Sequence, residues 1–107
     1  MGNFEGIFPG SGSLIEGNTT NSNQDVGINA SFGHCSVINN IANLNGIAGI
    51  YAARSLVSGN TAMANKTGIV AVCPTNLVGN SAVDNTTNYS PPRASLVPMG
   101  CGNSNNL

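Results

Sequence analysis

One short sequence pattern occurs four times between Asn18 and Asn85, and it predicts the fold. Its copies are Gly17-Asn18-Thr19-Thr20, Asn39-Asn40-Ile41-Ala42, Gly59-Asn60-Thr61-Ala62 and Gly79-Asn80-Ser81-Ala82. A second Asn follows each first one five residues later, as Asn23, Asn45, Asn65 and Asn85. Successive copies are 22, 20 and 20 residues apart. A fixed period of about 20 residues is typical of a solenoid, in which each repeat packs against its neighbours.

Aliphatic residues keep the same register as the Asn pattern. Three residues before each first Asn lie Ile15, Val37, Val57 and Leu77, and a Gly-Ile pair follows three of the copies as Gly27-Ile28, Gly49-Ile50 and Gly68-Ile69. Apolar and polar residues alternate around these positions, which indicates strands with one buried face. The repeat is too short for two helices, and Gly and Asn are poor in helix interiors. We therefore predict one coil of a parallel β-solenoid per repeat, with coils about 4.8 Å apart.

The repeated Asn residues predict two stacked columns. An Asn at a turn accepts left-handed backbone geometry, and amides stacked above one another can hydrogen-bond along the column. The predicted structural ladder consists of Asn18, Asn40, Asn60 and Asn80 in one column and Asn23, Asn45, Asn65 and Asn85 in the other. The alternative is that the first column forms a polar binding strip.

Two segments carry a family resemblance. Leu56-Val57-Ser58-Gly59-Asn60-Thr61-Ala62 and Thr67-Gly68-Ile69-Val70-Ala71 resemble the repeat of right-handed parallel β-helix proteins of the pectate-lyase-like superfamily, over roughly residues 6 to 89. The resemblance implies an all-β, right-handed parallel β-helix of about four coils. Relatives of this kind are usually secreted or displayed on the cell surface. They include lyases, hydrolases, adhesins and proteins of no known role, so the resemblance implies a fold and not an activity.

The chain is interpreted as one β-helix domain over residues 1–107. Residues 1–13 form an N-terminal partial coil or cap, because Gly6-Ile7 precedes Gly27-Ile28 by 21 residues. The repeats occupy residues 14–89, and residues 90–107 form an irregular C-terminal tail. We expect Phe4, Phe8 and Phe32 to cover the first open end of the solenoid. The alternative is that the chain is a piece of a longer solenoid.

The tail differs in character from the repeats. Pro91-Pro92 and Pro98 interrupt strand pairing. Ala94-Ser95-Leu96-Val97 nevertheless echoes Arg54-Ser55-Leu56-Val57, which predicts one more strand there. The last six residues, 102–107, are expected to be mobile.

Composition limits the partners. Only 7% of residues are charged and the net charge is -1, so nucleic acid and anionic membrane surfaces are not expected as partners. Residues 1–13 lack the basic start and apolar run of a signal peptide, and no stretch is apolar enough to span a membrane. The compartment is left open. The surface of Asn, Ser and Thr suits carbohydrate.

The cysteines are predicted to be free thiols. Cys35 and Cys73 fall about two coils apart, near 10 Å at about 4.8 Å per coil, which is too far for a disulfide. Cys101 could reach Cys73 only if the tail folds back. His34 adjoins Cys35, but neighbouring strand residues point to opposite faces, so a catalytic dyad is not expected.

The carboxylates are predicted to lie apart. A glycosidase needs two of them at one sugar bond, whereas Asp25 and Asp84 are three coils apart, about 14 Å. Glu16 lies on a different face of coil one from Asp25. The resemblance to pectate lyases would call for calcium-binding acids beside a basic residue, and Arg54 and Lys66 have no acidic neighbours in register. We therefore predict no catalytic, cofactor-binding or metal-binding residues.

These observations favour a non-catalytic structural or interaction module. Exposed coil ends and strand edges favour self-association, so a homo-oligomer is expected. The alternatives are a carbohydrate-binding module and a fragment of a polysaccharide lyase or hydrolase. A groove with exposed aromatic residues would favour the first alternative, and a pair of acids brought together by the fold would favour the second.

Overall fold

The computed structural model describes residues 3–107, which are built almost wholly of short parallel strands. The strands of this part of the chain are β1 (Leu14–Glu16), β2 (Thr19–Asn21), β3 (Val26–Ala30), β4 (Ser36–Ile38), β5 (Ile41–Asn43), β6 (Ala48–Ala53), β7 (Leu56–Ser58), β8 (Thr61–Met63), β9 (Thr67–Val72), β10 (Asn76–Val78), β11 (Ser81–Val83), β12 (Thr87–Ser90) and β13 (Gly102–Ser104). A short helix, α1 (Arg93–Leu96), lies between β12 and β13. Three successive strands make one coil, so β1 to β12 form four coils.

The strands stack into three parallel sheets. Sheet 1 has the order β1-β4-β7-β10-β13, sheet 2 the order β2-β5-β8-β11, and sheet 3 the order β3-β6-β9-β12. Every neighbouring pair is parallel, and each strand pairs with its equivalent one coil later. The prediction of an all-β parallel solenoid of about four coils is therefore confirmed.

The core consists of side-chain columns that run along the stack. In sheet 1 the register places Ile15, Val37, Val57 and Leu77 above one another. In sheet 3 the corresponding column is Ile28, Ile50, Ile69 and Tyr89. In sheet 2 it is Thr20, Ala42, Ala62 and Ala82, and these small side chains leave room for the larger ones opposite. Burying each large aliphatic side chain contributes about 1.5–3 kcal/mol, so the columns hold the coils in register.

Left-handed backbone geometry recurs at both corners that precede the Asn columns. Before the first column, the residues with positive φ are Gly17, Asn39, Gly59, Gly79 and Asn105, with φ of 54° to 70°. Before the second column they are Ser22, Leu44, Ala64 and Asp84, with φ of 56° to 58°. The expectation that the ladder Asn residues themselves take this geometry is wrong. The preceding residue turns the chain, and the Asn then points inward to make its hydrogen bonds.

The tail departs from the prediction. Residues 94–97 were expected to form a strand, but they lie in and just after helix α1, and the extra strand is β13. Pro92 is the residue that caps this helix, and proline is compatible with a helix start because no N–H is needed there. The helical turn buries Leu96, which is 1% exposed. Residues 102–104 then pair with β10 and extend sheet 1.

The prediction of three free thiols is also wrong. Cys73 and Cys101 form a disulfide, with their Cα atoms 5.0 Å apart. The bond forms because the tail folds back over coil four, which the spacing of the repeats could not reveal. Cys35 remains a free, buried thiol.

The three phenylalanines do not cover the core at the N-terminal end. Phe4, Phe8 and Phe32 are all exposed. Phe8 and Phe32 pack on each other instead, with ring centroids 5.2 Å apart. All three lie outside the strands.

The corner geometry makes a testable prediction at Gly79. Its φ is +65°, and an added Cβ would meet no atom within 4 Å, so the cost of Gly79→Ala is the left-handed backbone alone. We expect it to lower the free energy of unfolding by about 1 kcal/mol. The matched control is Gly10→Ala, which also has open space around the new Cβ but no positive φ. Urea unfolding should show no loss of stability for the control. Equal losses for both variants would contradict this account.

Candidate functional site

The first Asn column is a continuous chain of side-chain hydrogen bonds. Each amide Nδ2 donates to the Oδ1 of the next coil: Asn18 to Asn40 at 3.2 Å, Asn40 to Asn60 at 3.0 Å, Asn60 to Asn80 at 3.0 Å, and Asn80 to Asn106 at 2.8 Å. The backbone N–H of each of these donors reaches the same Oδ1 at 2.9–3.1 Å. The hydrogen-bonded ladder predicted from the sequence is therefore present.

Asn60 shows why the ladder is strong. Its Oδ1 accepts from both the Nδ2 and the backbone N–H of Asn40, at 3.0 and 2.9 Å. Its Nδ2 donates to Asn80 Oδ1 at 3.0 Å and to the Val37 carbonyl at 2.8 Å. Both donors and both acceptor sites of the amide are thus occupied by protein. Asn40, Asn60 and Asn80 are each 1% exposed, so they join coils and do not form a binding strip.

The second column follows the same rule. The Nδ2 donors run from Asn23 to Asn45 at 2.9 Å, from Asn45 to Asn65 at 3.0 Å, from Asn65 to Asn85 at 3.1 Å, and from Asn85 to Asn88 at 3.2 Å. Asn65 and Asn85 also donate to the carbonyls of Ala42 and Ala62, one coil back. This column therefore joins successive coils at the corner between sheets 2 and 3.

The sequence analysis missed the last member of each ladder. Asn106 follows Asn80 by 26 residues, and Asn88 follows Asn85 by only three, so both break the period. A signal for Asn106 exists, since the doublet Asn105-Asn106 repeats the doublet at residues 39–40 and also follows a strand. No comparable sequence signal marks Asn88.

The tail covers part of the C-terminal end. The Leu107 backbone donates to the Asn80 carbonyl and accepts from the Ala82 N–H, both at 2.8 Å, which covers the outer edge at β11. The Tyr89 hydroxyl donates to the Leu107 carbonyl at 2.7 Å. Burial raises the pKa of Tyr89, and the Arg93 guanidinium, which lies 5.8 Å from the ring centroid, opposes this effect.

His34 and Cys35 differ in exposure. His34 is exposed, whereas Cys35 is buried and its thiol donates to the carbonyls of Gly33 at 3.4 Å and Gly10 at 3.5 Å. Both residues lie in the loop between β3 and β4, so the strand alternation used for the prediction does not apply to them. Within residues 3–107, no group of three or more His, Cys, Asp or Glu side chains is placed to hold a metal ion. Nor is any helix among these residues long and apolar enough to cross a membrane.

One groove contains two acids, Glu5 and Asp25, that were not compared in the sequence analysis. It lies on the outer face of sheet 3 and has a volume of about 310 Å³. Its walls are formed by Glu5, Asp25, Val26, Asn29, Ser31, Ile47 and Tyr51. The analysis compared Asp25 with Asp84 and Glu16 and passed over Glu5. The signal was available, because Gly6-Ile7 matches Gly27-Ile28 and so sets Glu5 beside coil one.

Comparison of the chain with protein-family models, with curated proteins and with solved structures gave no match.

The ladder makes a prediction at its centre. In Asn60→Ala the donors of Asn40 and the carbonyl of Val37 lose their partner inside the solenoid. Each buried unpaired group costs about 1–3 kcal/mol, so we expect a loss of about 3 kcal/mol or more in the free energy of unfolding. Asn18→Ala is the matched control at the half-buried end of the same ladder, and should cost about 1 kcal/mol. If urea unfolding shows the same loss of unfolding free energy for both variants, burial does not increase the contribution of a ladder Asn, and this account is wrong.

Tyr89 predicts a loss of stability at alkaline pH. Its pKa in the folded chain lies above the ordinary 10.0, because burial disfavours the phenolate. The stabilisation is therefore fully present below pH 10 and is lost as the pH rises through the raised pKa. We expect the free energy of unfolding of the wild type to fall above pH 10 more steeply than that of Tyr89→Phe. Parallel curves for the two proteins would refute the assignment.

Proposed function

We propose that the chain is a non-catalytic interaction module that forms a homodimer through its N-terminal end. The observation that carries the proposal is the pair of open edges at that end. β1 and β2 are the outermost strands of sheets 1 and 2. Residues 3–7 cover the edge of β3 only, where the N–H groups of Gly6 and Ile7 donate to the carbonyls of Val26 and Gly27 at 3.1 and 2.9 Å. Open edges of this kind pair readily with another strand.

The side chains around these edges support association. Leu14 on β1 is 63% exposed, and Phe4, Phe8 and Phe32 are exposed at the neighbouring segments. Apolar side chains beside unpaired strands are typical of surfaces that become buried in an interface. The net charge of only -1 means that two copies repel each other weakly.

The cover over the edge at β11 supports a pairing of N-terminal end with N-terminal end, although β13 and β12 are the outermost strands of sheets 1 and 3 at the C-terminal end. The backbone of Leu107 already occupies the edge at β11, and helix α1 buries Leu96 over the core. A two-fold dimer is the commonest assembly of identical chains and is closed by symmetry. Such a dimer would cover β1 and β2 of both copies in one interface.

We also propose that the coils wind in the right-handed sense and that the chain is related to pectate-lyase-like β-helix proteins. The repeat resemblance supports the relationship. The handedness is supported by the rule that parallel strands of one sheet are joined by right-handed connections in about 98% of cases. A crystal structure with left-handed coils would contradict both statements.

The carbohydrate-binding alternative would use the groove that contains Glu5, Asp25 and Tyr51. Its polar groups could pair with sugar hydroxyls, and the ring could stack on a sugar face. The two negative charges of the groove favour a cationic ligand instead. The lyase or hydrolase alternative would need these two acids to act on one glycosidic bond.

Light scattering across a dilution series tests the dimer. We expect a mass of twice the 10.8 kDa chain, falling to that of the monomer for Leu14→Lys, because a lysine on an open edge opposes strand pairing. Val97→Lys is the matched control, since Val97 is also 63% exposed but lies in the C-terminal cap. It should remain dimeric.

Circular dichroism should show that both variants are folded. A wild type that stays monomeric at every concentration would overturn the proposal. Dissociation by both variants would indicate head-to-tail stacking and would overturn the pairing of the two N-terminal ends.

A further inference from the structure

The groove on sheet 3 has the size and position of a small-molecule site. Its volume of about 310 Å³ lies at the lower end of the range of roughly 300–1,000 Å³ typical of ligand pockets. Asn29 and Tyr51 are register partners on neighbouring coils, so their side chains lie next to each other on the outer face. The site is thus built on strands of a rigid stack.

One acid of the groove is held in position by a relay of hydrogen bonds. Asn29 Nδ2 donates to Glu5 Oε1 at 2.8 Å. The Oδ1 of the same amide accepts the backbone N–H of Ser31 at 3.2 Å. These bonds fix the orientation of Asn29 and, through it, the Glu5 carboxylate. Asp25 is the second carboxylate in the groove wall.

Among residues 3–107, the groove wall contains two acids and no basic side chain. Glu5 and Asp25 line it, whereas Lys66 and the two arginines of the chain do not. Two carboxylates facing one concave surface raise the local concentration of cations. The ligand that this potential favours is therefore positively charged.

Apart from Asn29 and Ser31, the remaining wall is apolar and aromatic. Ile47 is 51% exposed, and Val26 and the ring of Tyr51 lie beside it. An aromatic face attracts an ammonium group, and exposed aliphatic surface gains from covering by hydrocarbon. A hard cation such as Ca²⁺ prefers six to eight oxygen ligands, and the apolar side chains of this wall do not supply them.

We infer that this groove binds a small organic ammonium ion. The charged nitrogen lies between Glu5 and Asp25, and its apolar substituents lie against Ile47 and the Tyr51 ring. The inference rests on the outer face of sheet 3 and the proposed dimer on the edges of sheets 1 and 2, but the two surfaces adjoin, because Glu5 follows Phe4 in the N-terminal segment.

The test compares two probes of the same shape and different charge. Choline carries a quaternary ammonium group, and 3,3-dimethylbutan-1-ol replaces it by a neutral tert-butyl group. With ¹⁵N-labelled protein, choline should produce saturable shifts at the amides of Asn29 and Tyr51, and added salt should weaken its binding. The neutral alcohol should bind about tenfold more weakly or not at all.

Substitutions test which side chains of the groove contact the ammonium group. Asp25→Asn should weaken choline binding about 2- to 5-fold, the range for an exposed ion pair. Asp84→Asn makes the same change of charge on coil four and should leave binding unchanged. Tyr51→Ala should weaken binding by a similar factor through loss of the aromatic face.

Four outcomes would overturn the inference. Equal binding of the two probes would indicate an apolar groove, and binding of glucose but not choline would indicate a sugar site. The third outcome is the absence of any shift at Asn29 and Tyr51 with choline. The fourth is equal weakening of choline binding by Asp25→Asn and Asp84→Asn, which would indicate a general charge effect.

Discussion

The structure depends on the hydrogen-bonding requirement of a buried asparagine. An amide removed from water needs partners for two donors and for its oxygen, and leaving one unpaired costs about 1–3 kcal/mol. In this chain the partners come from the coil before and the coil after, as Asn60 shows with its bonds to Asn40, Asn80 and Val37. The requirement is met only when every coil brings an Asn to the same position, and this keeps the coil length near 20 residues.

The hydrogen bonds of the ladders stabilise the left-handed backbone at the corners. At the first corner the turning residue is Gly or Asn, for which left-handed geometry costs little. At the second corner Leu44 and Ala64 take the same geometry, at a cost of about 1–2 kcal/mol each. The buried Asn that follows each of them is hydrogen-bonded along its column, and those bonds offset the backbone strain.

The two ends of the stack are covered to different extents. At the C-terminal end, the tail supplies β13, Asn106 and the Leu107 backbone, and a disulfide to Cys101 holds it. At the N-terminal end, β1 and β2 keep an outer edge without a partner strand among residues 3–107. The proposed interaction would use the edges of β1 and β2, whereas the proposed ligand would lie on the outer face of sheet 3, and Glu5 of the groove adjoins Phe4 beside those edges.

The sequence by itself determined the parts of the protein that repeat. The columns at Val57 and Ile69 and eight of the ladder Asn residues follow from the period, because identical neighbours one coil apart must meet. Only the tertiary structure decided the parts that occur once. Contacts between segments with no common register decide three features. They are the fold of the tail into α1 and β13, the Cys73–Cys101 bond and the presence of Glu5 and Asp25 in one groove. Such contacts are set by which surfaces remain uncovered after the coils have stacked, and a repeat pattern carries no information about them.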